Sequence, residues 1–214
     1  MSETKTKFNL IKIFGPSVFK VQIPMEIVDK LNNYVDKIIE DKNKSKELDQ
    51  GKDLVGDVTQ EFSLENEFTQ SSGWLNFLAA STKKWIELET QKKITKFQMR
   101  KSWIVRQFQN EYNPTHWHTG HISGAGFLKV PKSLGEHKQK LKDTKYTGGN
   151  LQLIHGSKMF LCESTLNIKP KVGDFYFFPN YLMHTVYPFN GTAEERRSIS
   201  FNANIDEKIF NQVS

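Results

Sequence analysis

A chain of 214 residues, 37% hydrophobic and 25% charged, has the composition of a folded globular protein and is long enough to bury a real core as one domain; its 16 Phe and 4 Trp exclude a disordered chain. The net charge of +6 comes nearly all from lysine and favours acidic partners in general, yet no basic stripe interleaved with aromatics is present, so a nucleic-acid partner is not expected. No apolar run approaches the roughly 20 residues of a membrane span, MSETKTKF lacks the apolar run of a signal peptide, and the single cysteine, Cys162, cannot close an internal disulfide, so no membrane association and a reducing, cytoplasmic setting are expected.

Residues 8–22 read as two short strands around a Gly15–Pro16 turn. Pro24 opens a helical pattern with Ile27, Leu31, Val35 and Ile38 at helical spacing. Residues 41–60 are polar and read as loop. A second helix is predicted from about Trp74 to Glu89, with Leu75, Leu78, Trp85 and Ile86 on or near one face.

After Thr95 short β-like runs follow one another: SWIVRQF, SGAGFLKV, NLQLI, KMFLC, DFYFF, HTVYP and SISFN. Gly148–Gly149, Pro170 and Gly173 punctuate them, which suggests a sandwich or jelly roll. Cys162, inside KMFLC, reads as a small buried hydrophobe. Lys132–Lys145 is a lysine-rich insertion, a surface loop or a flap. The expected architecture is mainly β with N-terminal helices: a strand/helix support over residues 1–100 packed on a β-barrel core over residues 101–208, as one structural unit.

Three of the six histidines fall in NPTHWHTGHISGAG. His116 and His118 are two residues apart, and on a strand such side chains share a face. Two imidazoles so placed can reach one ion at about 2.0–2.1 Å, and neutral imidazole suits iron, zinc, copper and nickel. Trp117 then points the other way, into packing. A third donor is available in His184, which follows a strand stopped by Pro179 and Asn180. The chain has only four arginines, Arg100, Arg106, Arg196 and Arg197. In a lysine-rich protein each is a candidate where a planar fork is needed.

The ordered set NPTHWHTGHISGAGFLKVP, YTGGNLQLIHG, IKPKVGDFYFFPNYLMHTVYPF and ERRSISFN, over roughly residues 102–204, resembles the iron(II)- and 2-oxoglutarate-dependent oxygenase superfamily, and most of all the branch common in phage and bacteria. The resemblance implies a double-stranded β-helix (jelly roll, cupin-like) with a helical support. It implies Fe(II), 2-oxoglutarate and O2 as cofactor and co-substrates, and hydroxylation of a substrate with release of succinate and CO2. By position His116 matches the first metal ligand and His184 the distal one. Arg196 and Ser198 match the pair that holds the far carboxylate of 2-oxoglutarate, with Arg197 as the alternate. His118 stands where the family carries Asp or Glu; either it is the third ligand or the site has two histidines completed by water. As a ligand it fills the position that a halide needs, so halogenation is not expected. No catalytic group beyond the metal ligands is implied.

Phe127, Asn202 and His121 are possible pocket residues, His121 at the edge of the pocket or on the surface; Ser200 shares the Arg196 face. Arg106, Gln107 and Gln109 present two faces, and the sequence does not say which is inward. His155 reads as structural beside Leu151 and Leu153, His137 as solvated, and Asp174 as a turn residue. The substrate, a small molecule or a protein side chain, and the oligomeric state are not legible. Two other readings stay open: a cupin-like tri-histidine metalloprotein that does not use 2-oxoglutarate, which leaves Arg196 and Ser198 without a reason, and a non-catalytic binding module.

Overall fold

The computed structural model describes residues 15–211. The first half of the hairpin expected over residues 8–22 lies outside the described residues; its second half is strand β1, Phe19–Gln22. Helix α1, Met25–Glu40, starts directly after Pro24 and buries Val28, Leu31, Val35 and Ile38, the apolar stripe of an amphipathic helix. Helix α4, Trp74–Thr90, buries Trp74, Leu78, Thr82, Trp85 and Ile86.

The segment expected as loop over 41–60 is more regular than its polarity suggests. Asp41 accepts hydrogen bonds from the backbone N–H of Asn43 (2.9 Å) and Lys44 (3.1 Å), and this cap opens helix α2, Lys42–Leu48. No residue of α2 is buried, so no apolar periodicity announces it. A short 3-10 turn at Gly51–Asp53 leads to strand β2, Gln60–Ser63, and helix α3, Asn66–Ser71, follows.

The remaining strands are β3 (Phe97–Gln107), β4 (Asn113–His116), β5 (Ile122–Lys129), β6 (Leu151–Ile154), β7 (Thr165–Ile168), β8 (Asp174–Pro179), β9 (Met183–Val186) and β10 (Arg196–Ile205), with a last turn of helix, α5, at Glu207–Phe210. They form two antiparallel sheets in the orders β1-β8-β5-β10-β3-β2 and β4-β9-β6-β7, the jelly-roll arrangement. The run KMFLC is not a strand. Met159 and Cys162 bridge a tight turn with Leu161 at φ 61°. Phe160 and Leu161 are each 92% exposed, and Cys162 is exposed rather than buried. β-like composition there has no sheet to join.

The six-stranded sheet divides its side chains by strand period. On β8, Phe175 and Phe177 join the core shared with the helices, while Phe178 packs between the sheets with Phe127, Leu151 and Val186. On β10, Ile199, Phe201 and Ala203 face the helices. Gly124 and Gly126 on β5 make this packing possible: a Cβ at Gly124 would sit 2.6 Å from both Phe175 and Phe201, and one at Gly126 2.3 Å from Phe175. A register shift opposite Asn202/Ala203 flips the parity of β3, so that Phe97 and Met99 join the same core as Ile104.

Arg197 ties the helical support to this sheet. Fully buried, its guanidinium donates to Asp36 (2.7 Å) and to the Asn32 carbonyl (3.2 Å) on α1 and to both oxygens of Glu195 (2.7 and 3.0 Å). Burial works against ionisation of Glu195, but Arg197 and Arg106 outweigh it and hold the carboxyl below its ordinary range. Replacing Arg197 by Met should cost about 3 kcal/mol, because buried acceptors lose their cation; urea unfolding with an unchanged slope measures it. The Glu195 shift also sets a sign. The folded state binds fewer protons, so this contribution is complete above the unfolded carboxylate value of about 4.3 and fades as pH falls through the lower folded value. Glu195→Gln should therefore flatten the acid limb of the stability curve; an unchanged limb contradicts the pairing.

Candidate functional site

The stretch NPTH forms β4 because Asn113 and His116 pair with Val186 and His184 of β9. His116 and His184 are direct cross-strand partners, and such pairs place side chains on one face. β4 stops at His116, so His118 lies just past the strand and not on it. It is held there by Asn180: the His118 N–H donates to the Asn180 carbonyl (3.0 Å) and the Asn180 amide donates back to the His118 carbonyl (3.1 Å). The Pro179–Asn180 corner that ends β8 thus positions the second histidine of HWH.

The three imidazoles converge. His184 Nε2 and His118 Nε2 are 3.1 Å apart, ring centroids are 4.3–4.9 Å apart, and one donor atom from each ring lies within 4.8 Å of the others. His116 Nδ1 is 2.7 Å from the Pro114 carbonyl and His184 Nδ1 is 2.9 Å from the Leu182 carbonyl. A carbonyl accepts only, so each Nδ1 carries the proton and each Nε2 keeps its lone pair for the centre. Burial pushes His118 down to about 3, with His184, His116 and Lys101 adding to the effect. Burial and His116 push His184 down to about 4 against the Leu182 hydrogen bond. Burial also lowers His116, partly offset by Pro114. Neutral imidazoles with lone pairs turned inward suit a first-row divalent metal. Two adjacent ligands at about 2.1 Å and a right angle lie about 3.0 Å apart, the spacing of His118 and His184.

A cavity of about 280 Å³ adjoins the triad, lined from the six-stranded sheet by Trp103, Val105, Phe127, Arg196, Ser198 and Asn202. Arg196 is buried at 1% exposure. It donates to the Gly149 carbonyl (2.9 Å), Gln107 Oε1 (3.1 Å) and Ser198 Oγ (3.3 Å), and its guanidinium lies over the Phe127 ring. Burial lowers it to about 10, so it stays a cation at neutral pH, yet among the described residues no carboxylate forms an ion pair with it. Arg197 has the opposite parity and faces α1. Arg106 also turns away from the cavity, to Glu195 (3.0 Å) and Gln60. The inward face of β3 is therefore Trp103, Val105 and Gln107.

Asn202 accepts from Ser123 Oγ (2.8 Å), and Ser200 lines the cavity with it. His121 does not line the cavity. Its ring stacks on Phe210 at 3.8 Å, and its Nδ1 accepts the Ile205 N–H, which spends it on docking α5. Trp117, expected in packing, is 63% exposed at the cavity, because β4 ends before it. His155 lies beyond β6 and is exposed. His137 meets the Thr144 carbonyl (2.8 Å) and closes the lysine-rich loop, and Asp174 is buried and paired with Lys20 (2.6 Å). Sequence reasoning missed Leu54, Val55, Glu61 and Asn113 as cavity residues; they stand on short polar segments with no periodic signal.

No curated protein matches the chain by sequence. Its fold is similar to a prolyl-4-hydroxylase from Pseudomonas putida (12% identity, 86% of this chain and 91% of that one, TM-score 0.57). It is also similar to the viral collagen prolyl hydroxylase of Paramecium Bursaria Chlorella virus-1, solved with 2OG (14% identity, 87% and 94%, TM-score 0.52), and to a prolyl hydroxylase from Trichoplax adhaerens in complex with a hypoxia-inducible-factor peptide (12% identity, 92% and 87%, TM-score 0.53). Residues 101–202 match a family model of 2OG-Fe(II) oxygenases. Together with the fold and the histidine triad, that match, over just under half of the chain, makes residues 101–202 similar to the 2OG-Fe(II) oxygenases.

Proposed function

We propose that this enzyme is a hydroxylase in which His116, His118 and His184 hold the iron and Arg196, with Ser198, holds the far carboxylate of 2-oxoglutarate. The observation that carries the reading is Arg196: a buried cation with no acidic partner among the described residues, beside three neutral imidazoles that share a centre. A buried guanidinium without an anion is costly, and a carboxylate ligand completes it with parallel charge-assisted bonds.

Fe(II), when bound, supplies with O2 the oxidising power that turns 2-oxoglutarate into succinate and CO2 and oxidises a substrate C–H bond. The chain's own residues do the rest. The Pro114 and Leu182 carbonyls fix the imidazole tautomers. Gln107 and the Gly149 carbonyl orient the Arg196 fork so that its free edge faces the cavity with Ser198. Phe127, Val105, Leu151 and Val186 exclude water around the reacting groups. Residues 101–208 act as the catalytic core and the preceding residues as its support. No helix among the described residues is long and apolar enough to cross a membrane, and the exposed lone cysteine is consistent with a reducing, cytoplasmic setting. The substrate is a small molecule or a protein side chain; likeness at 12–14% identity does not carry proline over.

Anaerobic addition of Fe(II) and then 2-oxoglutarate should give a visible charge-transfer band. Its absence would favour a tri-histidine metalloprotein that does not use 2-oxoglutarate. Arg196→Leu should weaken 2-oxoglutarate binding about 100-fold, the scale for removing one partner of a buried charged pair, and leave Fe(II) binding alone. His118→Asp should retain Fe(II) binding and His118→Ala should lose more than about 100-fold, beyond the roughly 10–100-fold that outer-shell substitutions cost. Equal affinity in wild type and His118→Ala places that imidazole outside the metal's ligand set.

A further inference from the structure

Glu61 is an ionisable cavity residue that the proposed chemistry leaves without a task. It is 2% exposed, on β2 at the edge of the six-stranded sheet. Register places Ser198, Val105 and Glu61 in one cross-strand row, so Glu61 faces the cavity two strands from β10, about 10 Å along the sheet. Its Oε2 is buried and has no hydrogen-bond partner among the described residues. Among the described residues no cation lies within ion-pair distance of it; Lys101 and Asp49 act on it through space, and the Lys101 ammonium meets Gln50 and the Trp103 ring instead. Burial, opposed by Lys101, pushes its carboxyl up to about 7.

A carboxylate in this state costs free energy, and its surroundings are those of a receptor. Gly56 keeps space beside it: a Cβ there would sit 2.4 Å from Asn113 Oδ1 and 3.2 Å from Glu61 Oε1. Trp103 neighbours it on the adjacent strand, and Trp117 stands exposed at the same cavity, two rings whose faces attract cations. Glu61 is also the one carboxylate among the described cavity residues. When ionised it repels carboxylates, which leaves Arg196 as the place in the cavity for an anion.

We propose that Glu61 is the substrate-recognition residue of this oxygenase and that the substrate carries a cationic nitrogen, an amine or a guanidinium, which pairs with Glu61 beside Trp103 and Trp117. The proposal rests on the oxygenase reading of the cavity and names the class of molecule it takes.

Two matched pairs of probes test it by calorimetry on the full chain, with and without anaerobic Fe(II) and 2-oxoglutarate: n-pentylamine against n-pentanol, and Nα-acetyl-lysinamide against Nα-acetyl-norleucinamide. In at least one pair the cationic member should bind about tenfold more tightly; which pair discriminates tells a free amine from one on an amino acid. Glu61→Gln should abolish the preference without lowering the melting temperature, since it removes a buried charge that has no partner. Trp117→Ala, at an exposed position, should reduce the preference a few-fold. Equal binding within both pairs, or a preference that survives Glu61→Gln, overturns the proposal. A cation preference that depends on Glu61 in a chain that fails to bind 2-oxoglutarate would sink the oxygenase reading and leave the Glu61 site standing.

Discussion

The antiparallel pairing of His116 with His184 is the contact on which the site depends. It brings together two segments that the chain separates by the whole of β5 to β8, and it does so by backbone register, which a one-residue slip would destroy. Asn180 then clamps His118 against the same centre from the corner after β8. Three imidazoles gathered out of water stay neutral and offer lone pairs. In the proposed reading none of the three ligands is an anion, so the full charge of a divalent ion would be available to the co-substrate, and Arg196 would add a second cation for its far end.

Strand β10 distributes the second set of roles through its period of two. Arg196 and Arg197 are adjacent, both buried, and opposite in duty. Arg197 is saturated by Asp36, Asn32 and Glu195 and anchors α1 to the sheet. Arg196 is held by neutral acceptors, and in the proposed reading its charge serves a ligand. Saturating one and starving the other separates stability from function within two residues. The same logic marks Glu61, whose row across β3 and β2 carries it to the cavity without a partner.

Much of this was legible in the sequence where pattern and chemistry coincide. The stripe Leu31, Val35, Ile38 gave α1, and the turn-punctuated β runs gave the jelly roll. His116, His184, Arg196 and Ser198 could be named as candidates from their order along the chain and the resemblance that order carries. The faces of β3 could not be read, since a bulge reverses its parity near Arg100 and long-range pairing decides it. Helix α2 was hidden because it buries nothing, and KMFLC misled because apolar residues stand exposed on a turn. Glu61 gave no signal: an acid in a polar segment acquires meaning only when β2 pairs with β3 and water is excluded. His121 shows the reverse error, a histidine near the cluster that stacks on Phe210 and belongs to packing.

The most direct measurement is X-ray absorption of the anaerobic enzyme loaded with Fe(II), recorded before and after 2-oxoglutarate. Three imidazole nitrogens on the iron, retained when oxygen donors of the co-substrate join them, is the result this account predicts. Fewer than three imidazoles, or a spectrum that 2-oxoglutarate leaves unaltered, contradicts it.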